Sequence, residues 1–201
     1  MLKSVVGKGE ATRQAVLDSA TEIASRIGLA GLTIGSLATH TGMSKSGLFA
    51  HFQSKESLQS QVLARAREQF VDLVVRPALA APRGETRVRE LFERWLGAGK
   101  AGASCCLFVS AAGEYDDQPG AIRDQLVRDH LDFFESVELM FRTGISEGDF
   151  RADADPAQFA HDVHGIMLAF MHAHRLLGDP AAEGRARRAF DSLLAAARAP
   201  K

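Results

Sequence analysis

Ser44, Lys45 and His51 put a nucleophile, a cation and a base into one short stretch, TGMSKSGLFAHFQSKESL, residues 41–58. Those three side-chain types are the raw material of covalent catalysis. Their spacing argues against it. Seven residues of helix separate Ser44 from His51 by about 10 Å of rise, too far for a direct hydrogen bond. No strained glycine elbow precedes the serine, and no other segment offers an oxyanion hole. His161 and His164 stand one helical turn apart and could in principle share a metal. The chain holds no E-x-x-H, the spacing that di-iron bundles use, so neither a metal nor another cofactor is expected. Cys105 and Cys106 are the only cysteines. Neighbouring residues rarely meet disulfide geometry, and the pair lacks the spacing of a structural zinc site.

The elements around these residues are helical. Val16, Ala20, Ile23, Ala24 and Ile27 share one face of a helix that ends at Gly28. Thr33 is placed to cap a short helix carrying Ile34, Leu37 and Ala38, and Gly42 breaks it. Ser44 caps the next, with Leu48 and Phe52 on its inner face. Ser54 starts a longer helix through Leu58, Val62, Ala66 and Phe70, expected to stop near Pro77. After a Pro/Gly boundary at residues 79–85 come a helix with Trp95, a Gly-rich break at GAGKAGAS, and a short helix from CCLF. A long amphipathic run follows from Ala121 to about Ser146. Asp155-Pro156 and Asp179-Pro180 each read as a helix start. The expectation is an all-α fold of nine helices, with a DNA-binding domain over 9–69 and a regulatory and dimerisation domain over 70–201.

A helix-turn-helix needs a short helix, a tight turn, and a second helix whose first residues reach base edges. Residues 33–52 supply each part. Ser44, Lys45, Ser46 and Gly47 make a small polar start, and Lys45 is long enough to reach a phosphate or a guanine edge. Helix starts at Thr33 and Ser54 offer backbone N–H groups to phosphates.

From TRQAVLDSATEIASRIGLAGLTIGSLA through TGMSKSGLFAHFQSKESL, the chain resembles the TetR family of bacterial transcriptional repressors. The match covers roughly residues 10–70; beyond it only helix count and layout agree. The resemblance implies a repressor that dimerises through its last two helices and leaves its operator when a small ligand binds the C-terminal domain. Carried over position by position, Thr33, Ser44, Lys45, Ser46, Gly47, Phe49, His51 and Lys55 would face DNA. Phe49 stands where the family commonly has Tyr, which removes one hydroxyl-to-phosphate bond. Ala24 stands where a large aromatic is common. Lys3 and Lys8, on the N-terminal arm, could add phosphate contacts.

Aromatic residues and methionines gather after residue 90, and most must be core. Trp95, Phe108, Phe134, Met167 and Met171 are the candidates to line an adaptable apolar cavity for a small effector. Few Lys or Arg fall on the predicted inner faces, so a strongly anionic effector is not expected. Gly165 in mid-helix costs about 1 kcal/mol relative to Ala, which close helix contact would offset. Its helix and the terminal helix, with Phe190, Leu193, Leu194 and Ala197, are the candidate seam of a homodimer.

Net charge is −1, so the chain as a whole is no polycation, although residues 1–58 carry six Lys/Arg against four Asp/Glu. No apolar segment reaches about 18 residues without a charge, and no secretory leader is evident. A cytoplasmic protein without a membrane partner is expected. Its partners would be double-stranded operator DNA, a small effector and a second copy of the chain. The alternative is an all-helical metal or redox enzyme built on the C-terminal bundle.

Overall fold

The computed structural model describes residues 8–101 and 105–200. In chain order its helices are α1 (Lys8–Ile27), α2 (Ile34–Thr41), α3 (Lys45–Phe52), α4 (Lys55–Phe70), α5 (Glu85–Lys100), α6 (Cys105–Tyr115), α7 (Ala121–Ser146), α8 (Pro156–Met171) and α9 (Ala182–Ala197). Helix α4 runs on through a π-helical turn, Val71–Val75, into a short α-helical end, Arg76–Ala80. Helix α8 likewise ends in a π-turn, His172–Leu176. Counted this way there are nine helices among the described residues. Their one extended pairing is a bridge between Phe150 and Arg198. No helix among the described residues is long and apolar enough to cross a membrane. Lys3 lies outside the described residues, as do the side chains of Lys8, Cys105 and Cys106.

Short polar side chains cap four of the nine helix starts among the described residues, at Thr33, Ser44, Ser54 and Asp155. Asp155 accepts from the backbone N–H groups of Ala157 (2.9 Å) and Gln158 (3.2 Å), satisfying donors that the first turn leaves unpaired. Ser54 accepts from the N–H of Ser57 at 3.0 Å and opens α4. Two expected helix boundaries fall elsewhere, and a third falls late within its segment. Pro77 does not stop its helix, because the π-turn before it re-registers the backbone: Arg76 N–H bonds the carbonyl of Val71, five residues back. The break expected in GAGKAGAS, residues 97–104, is present but falls late in it: α5 runs through Gly97 and Gly99 to Lys100, and α6 begins at Cys105. Gly99 is buried there, and a Cβ on it would lie 3.1 Å from Met171 Sδ and from Phe170 Cε1. The missing side chain therefore serves close helix packing rather than a break. Asp179-Pro180 forms a lead-in turn, Asp179 Oδ1 taking the N–H of Ala181 at 2.9 Å, and α9 begins only at Ala182.

The chain folds as two compact units. The first contains α1 to α4 as far as Gln69, together with α6 and the start of α7 up to Leu126. Its core joins Leu17, Ala20, Leu37, Leu48, Phe52 and Leu63 with Leu107 and Ala111 of α6. The second contains Phe70 through α5, and Val127 through α9. Phe92 of α5 stacks on Phe190 of α9 at 3.9 Å, and Phe141 stacks on Phe150 and Phe159 at 4.4 and 4.1 Å. Ion pairs run outside this core. Glu85 accepts from Arg198 twice at 2.7 Å and from Arg89 at 2.8 Å, which holds its carboxyl down at about 2.

Candidate nucleic-acid interface

Two reciprocal devices set the pair α2–α3. Thr33 Oγ1 accepts the N–H of Ser36, and Ser36 Oγ accepts the N–H of Thr33, both at 2.9 Å, a closed capping box. Gly42 ends α2 in the left-handed region (φ 69°), where its N–H reaches the carbonyl of Ala38 at 3.0 Å. Ser44 then caps α3 by accepting the N–H of Gly47 at 3.1 Å. At the far end Gln53 also adopts a positive φ, 63°, the one non-glycine among the described residues to do so. Its N–H closes on the carbonyl of Phe49 at 2.9 Å. That strained stop lets α4 begin two residues later.

Burial decides which face of α3 looks outward. Leu48 and Phe52 are both 0% exposed and anchor the helix. Burial of each such side chain contributes about 1.5–3 kcal/mol. Ser44, Lys45 and Ser46 are exposed, and Phe49 is 51% exposed, an apolar ring held in water. Gly47 and His51 are half-buried on the same helix, and Lys55 is exposed in the first turn of α4. Thr33 is half-buried at the start of α2. The outer surface at the start of α3 is thus small, polar and cationic, with one aromatic ring beside it.

Residues that sequence reasoning missed hold this element in place. The loop between α1 and α2 is gripped from two sides. Glu114 of α6 accepts the N–H groups of Leu29 (3.3 Å) and Ala30 (2.6 Å). The buried Gln59 of α4 donates to the carbonyls of Leu29 (2.7 Å) and Leu32 (3.5 Å). Burial and the charge of Glu114 push the phenol of the adjacent Tyr115 up, against a hydrogen bond with Gln59. Asp18 of α1 accepts from Arg65 (2.7 Å) and Gln69 (2.9 Å), tying α4 to α1. Gln59 carried a signal, a polar residue between Leu58 and Val62 on an apolar face. Glu114 carried none, since its partners lie far away in sequence.

The cavity candidates divide between the units. Phe108 is half-buried against the core of the first unit. The other four belong to the second. Met167 (0%) and Met171 (4%) are sealed into its core. Trp95 meets Phe133 edge-on at 4.8 Å, and Phe134 meets His164 at 5.0 Å. Gly165 is exposed with nothing within 4 Å of where a Cβ would stand. It opens instead onto a groove of about 620 Å³, floored by Ala169 and Ala173 and by Ala186, Ala189 and Leu193 of α9.

Two short helices locked across a left-handed turn, with an exposed polar face at the start of the second, define a helix-turn-helix DNA-binding protein. The family model "Bacterial regulatory proteins, tetR family" matches residues 16–62, and "Tetracyclin repressor-like, C-terminal domain" matches residues 84–190. The chain belongs to the TetR family, and it is a transcriptional regulator. A TetR-family transcriptional regulator from Cytophaga hutchinsonii superposes with a TM-score of 0.84 at 19% identity, over 97% of this chain and 98% of that one. A TetR transcriptional regulator from Chloroflexus aurantiacus gives 0.79 at 22% identity, over 94% of each chain. AibR, solved in complex with isovaleryl coenzyme A and operator DNA, gives 0.72 at 18% identity, over 94% of this chain and 99% of that one. Among curated proteins, none matches by sequence.

Proposed function

We propose that the protein is a homodimeric repressor that binds a near-palindromic operator and releases it when a small, mainly apolar molecule occupies the second unit. The observation that carries the DNA-binding part is the outward face of α3, with Ser44, Lys45, Ser46 and Phe49 exposed above the sealed Leu48 and Phe52. Lys45 and Ser46 read base edges in the major groove, and Gly47 lets the backbone come close. Phe49 lays its ring beside the phosphate backbone without the hydroxyl that would bond it. His51, Thr33 and Lys55 sit where phosphates flank the groove, and they position the helix without reading sequence.

The groove along α8 and α9 supports the dimer. Within one chain a Cβ at Gly165 would meet nothing within 4 Å, so close packing there does not offset the helix propensity it forfeits; a second copy of the same groove supplies the close contact. Trp95 and Phe134, with Met167 and Met171 behind them, are the residues proposed to respond to the effector. AibR, which holds an acyl coenzyme A together with its operator, supports effector control on this fold. Phe108 packs on the core of the other unit, the one that binds DNA, and is left out of this set.

Selection of bound duplexes from a random pool tests the reading. Two inverted half-sites, centred one helical turn or a multiple of it apart, are the expected result. A pool that shows no enrichment, or a single unpaired half-site, would overturn it.

A further inference from the structure

The second unit holds two aromatic clusters of opposite character. In the first, Phe92 stacks on Phe190, and Phe141 stacks on Phe150 and Phe159, and all five rings are 3% exposed or less. That is closed core. In the second, Phe70 at the end of α4, Trp95 of α5, Phe133 and Phe134 of α7, and His164 of α8 converge from four helices. Phe70 meets Phe133 at 5.3 Å and Trp95 at 6.1 Å, and Trp95 lies over His164 at 6.1 Å with 25° between the planes. His130 stands edge-on to His164 at 6.1 Å. Only Trp95 is buried; Phe70, Phe133, Phe134, His130 and His164 all keep reachable surface. Rings drawn together from four helices yet left partly exposed offer the apolar faces that a small ligand's lining needs.

His164 is the polar group of that lining. Its contacts are rings, and among the described residues neither of its nitrogens has a hydrogen-bond partner. Burial, and then the nearby His130 and His161, push its pKa down to about 4. At neutral pH the ring therefore carries one N–H donor and one bare acceptor nitrogen. A cation would meet aromatic faces, but none of these side chains is a carboxylate to offset its lost hydration. An anion could accept from the N–H of the neutral ring, but none of these side chains is a Lys or Arg to offset its lost hydration.

We propose that this cluster seats the effector, and that the effector is an uncharged aromatic molecule bearing one hydroxyl or carbonyl group. Its ring lies among Trp95, Phe133 and Phe134, and its polar group bonds His164. The inference rests on the effector-responsive reading above and adds the chemical class and the residue that selects it. His164 works here as an orienting partner. Polar pairing of this kind discriminates strongly, because the analogue lacking the group leaves a half-buried nitrogen unsatisfied.

Trp95 is the only tryptophan in the chain, so its fluorescence reports this cluster directly. The full-length protein is titrated with 4-fluorophenol, 4-fluorobenzoate, 4-fluorobenzylammonium and fluorobenzene, followed by Trp95 emission and by fluorine NMR. Saturable binding of 4-fluorophenol is expected, at least tenfold tighter than either charged probe. His164→Phe keeps a ring and removes both nitrogens. It should lose at least tenfold for 4-fluorophenol and nothing for fluorobenzene. His164→Gln, which restores a neutral hydrogen-bonding group, should recover part of the loss, and it replaces the Phe variant if that one melts early. Equal affinity for charged and uncharged probes, no binding of 4-fluorophenol, or His164→Phe indistinguishable from wild type would each overturn the proposal. Operator binding by wild-type protein is measured alongside. Its absence would sink the regulatory reading itself, whereas operator binding without phenol binding sinks only the effector assignment.

Discussion

Two glycines on facing helices of the second unit should respond in opposite ways to added bulk. At Gly99 a Cβ would stand 3.1 Å from Met171 Sδ and Phe170 Cε1. The thioether can shift, but Phe170 is fully buried and stacked on His174 at 5.3 Å, so its ring has little room. Overpacking of that kind costs about 1–3 kcal/mol, and the better helix propensity of Ala returns up to about 1. Gly99→Ala should therefore destabilise the fold by about 1 kcal/mol net, lowering Tm by roughly 2–4 °C at fixed protein concentration. At Gly165 nothing lies within 4 Å, so Gly165→Leu should keep or slightly raise the stability of the single chain. The same leucine would occupy the groove proposed above to receive a second copy. Sedimentation velocity at micromolar concentration should then show a monomer for Gly165→Leu and a dimer for Gly99→Ala. A Gly99→Ala protein as stable as wild type would mean that the α5–α8 contact is softer than drawn. An intact Gly165→Leu dimer would place the seam elsewhere.

Phe49→Tyr adds a hydroxyl at the exposed edge of α3. One more phosphate hydrogen bond in each protomer, about 1 kcal/mol apiece, should tighten every duplex roughly thirtyfold in a fluorescence-anisotropy titration without changing base preference. Stability should fall in two pH windows, read by urea melts across pH. His164 is neutral in the fold and binds a proton more readily when unfolded, so its contribution is complete above about 6.5 and is lost as pH falls towards about 4. The loss should be about 1–2 kcal/mol once solvent screening is allowed for, and His164→Phe should flatten this window. Glu85 is held ionised by Arg198 and Arg89, so its contribution is present above about 4.5 and disappears as pH falls towards about 2. Glu85→Gln should flatten that lower window alone.

Local chemistry made the DNA-binding element readable before any coordinates. Thr33, Ser44 and Ser54 cap helices because a short oxygen-bearing side chain reaches the free N–H groups of the first turn. Gly28 and Gly42 stop helices because they accept φ of 82° and 69°. Packing overrode local signals elsewhere. Gly97 and Gly99 look like a break until Phe170 and Met171 are seen to need the space. Pro77 looks like a stop until the π-turn before it moves the backbone out of register. The membership of α6 in the first unit was invisible, because it is carried by Glu114 reaching Leu29 and Ala30 across 85 and 84 residues. Periodicity also could not separate closed core from unsealed lining: Phe134 and Phe141 both follow a helical period, and only burial tells them apart.

Salt dependence on a selected operator tests the central claim most directly, that two copies of α3 and its flanks grip one duplex. Each lysine that neutralises a phosphate releases a counterion, at about 0.9 units of slope in log affinity against log salt. Lys55 would act once in each protomer, so Lys55→Ala should make the slope shallower by roughly 1.8 units and weaken all sequences alike. A slope that stays unchanged in Lys55→Ala, with base preference altered instead, would contradict the assignment of Lys55 to the phosphate backbone. Binding that does not weaken with salt at all would contradict the interface itself.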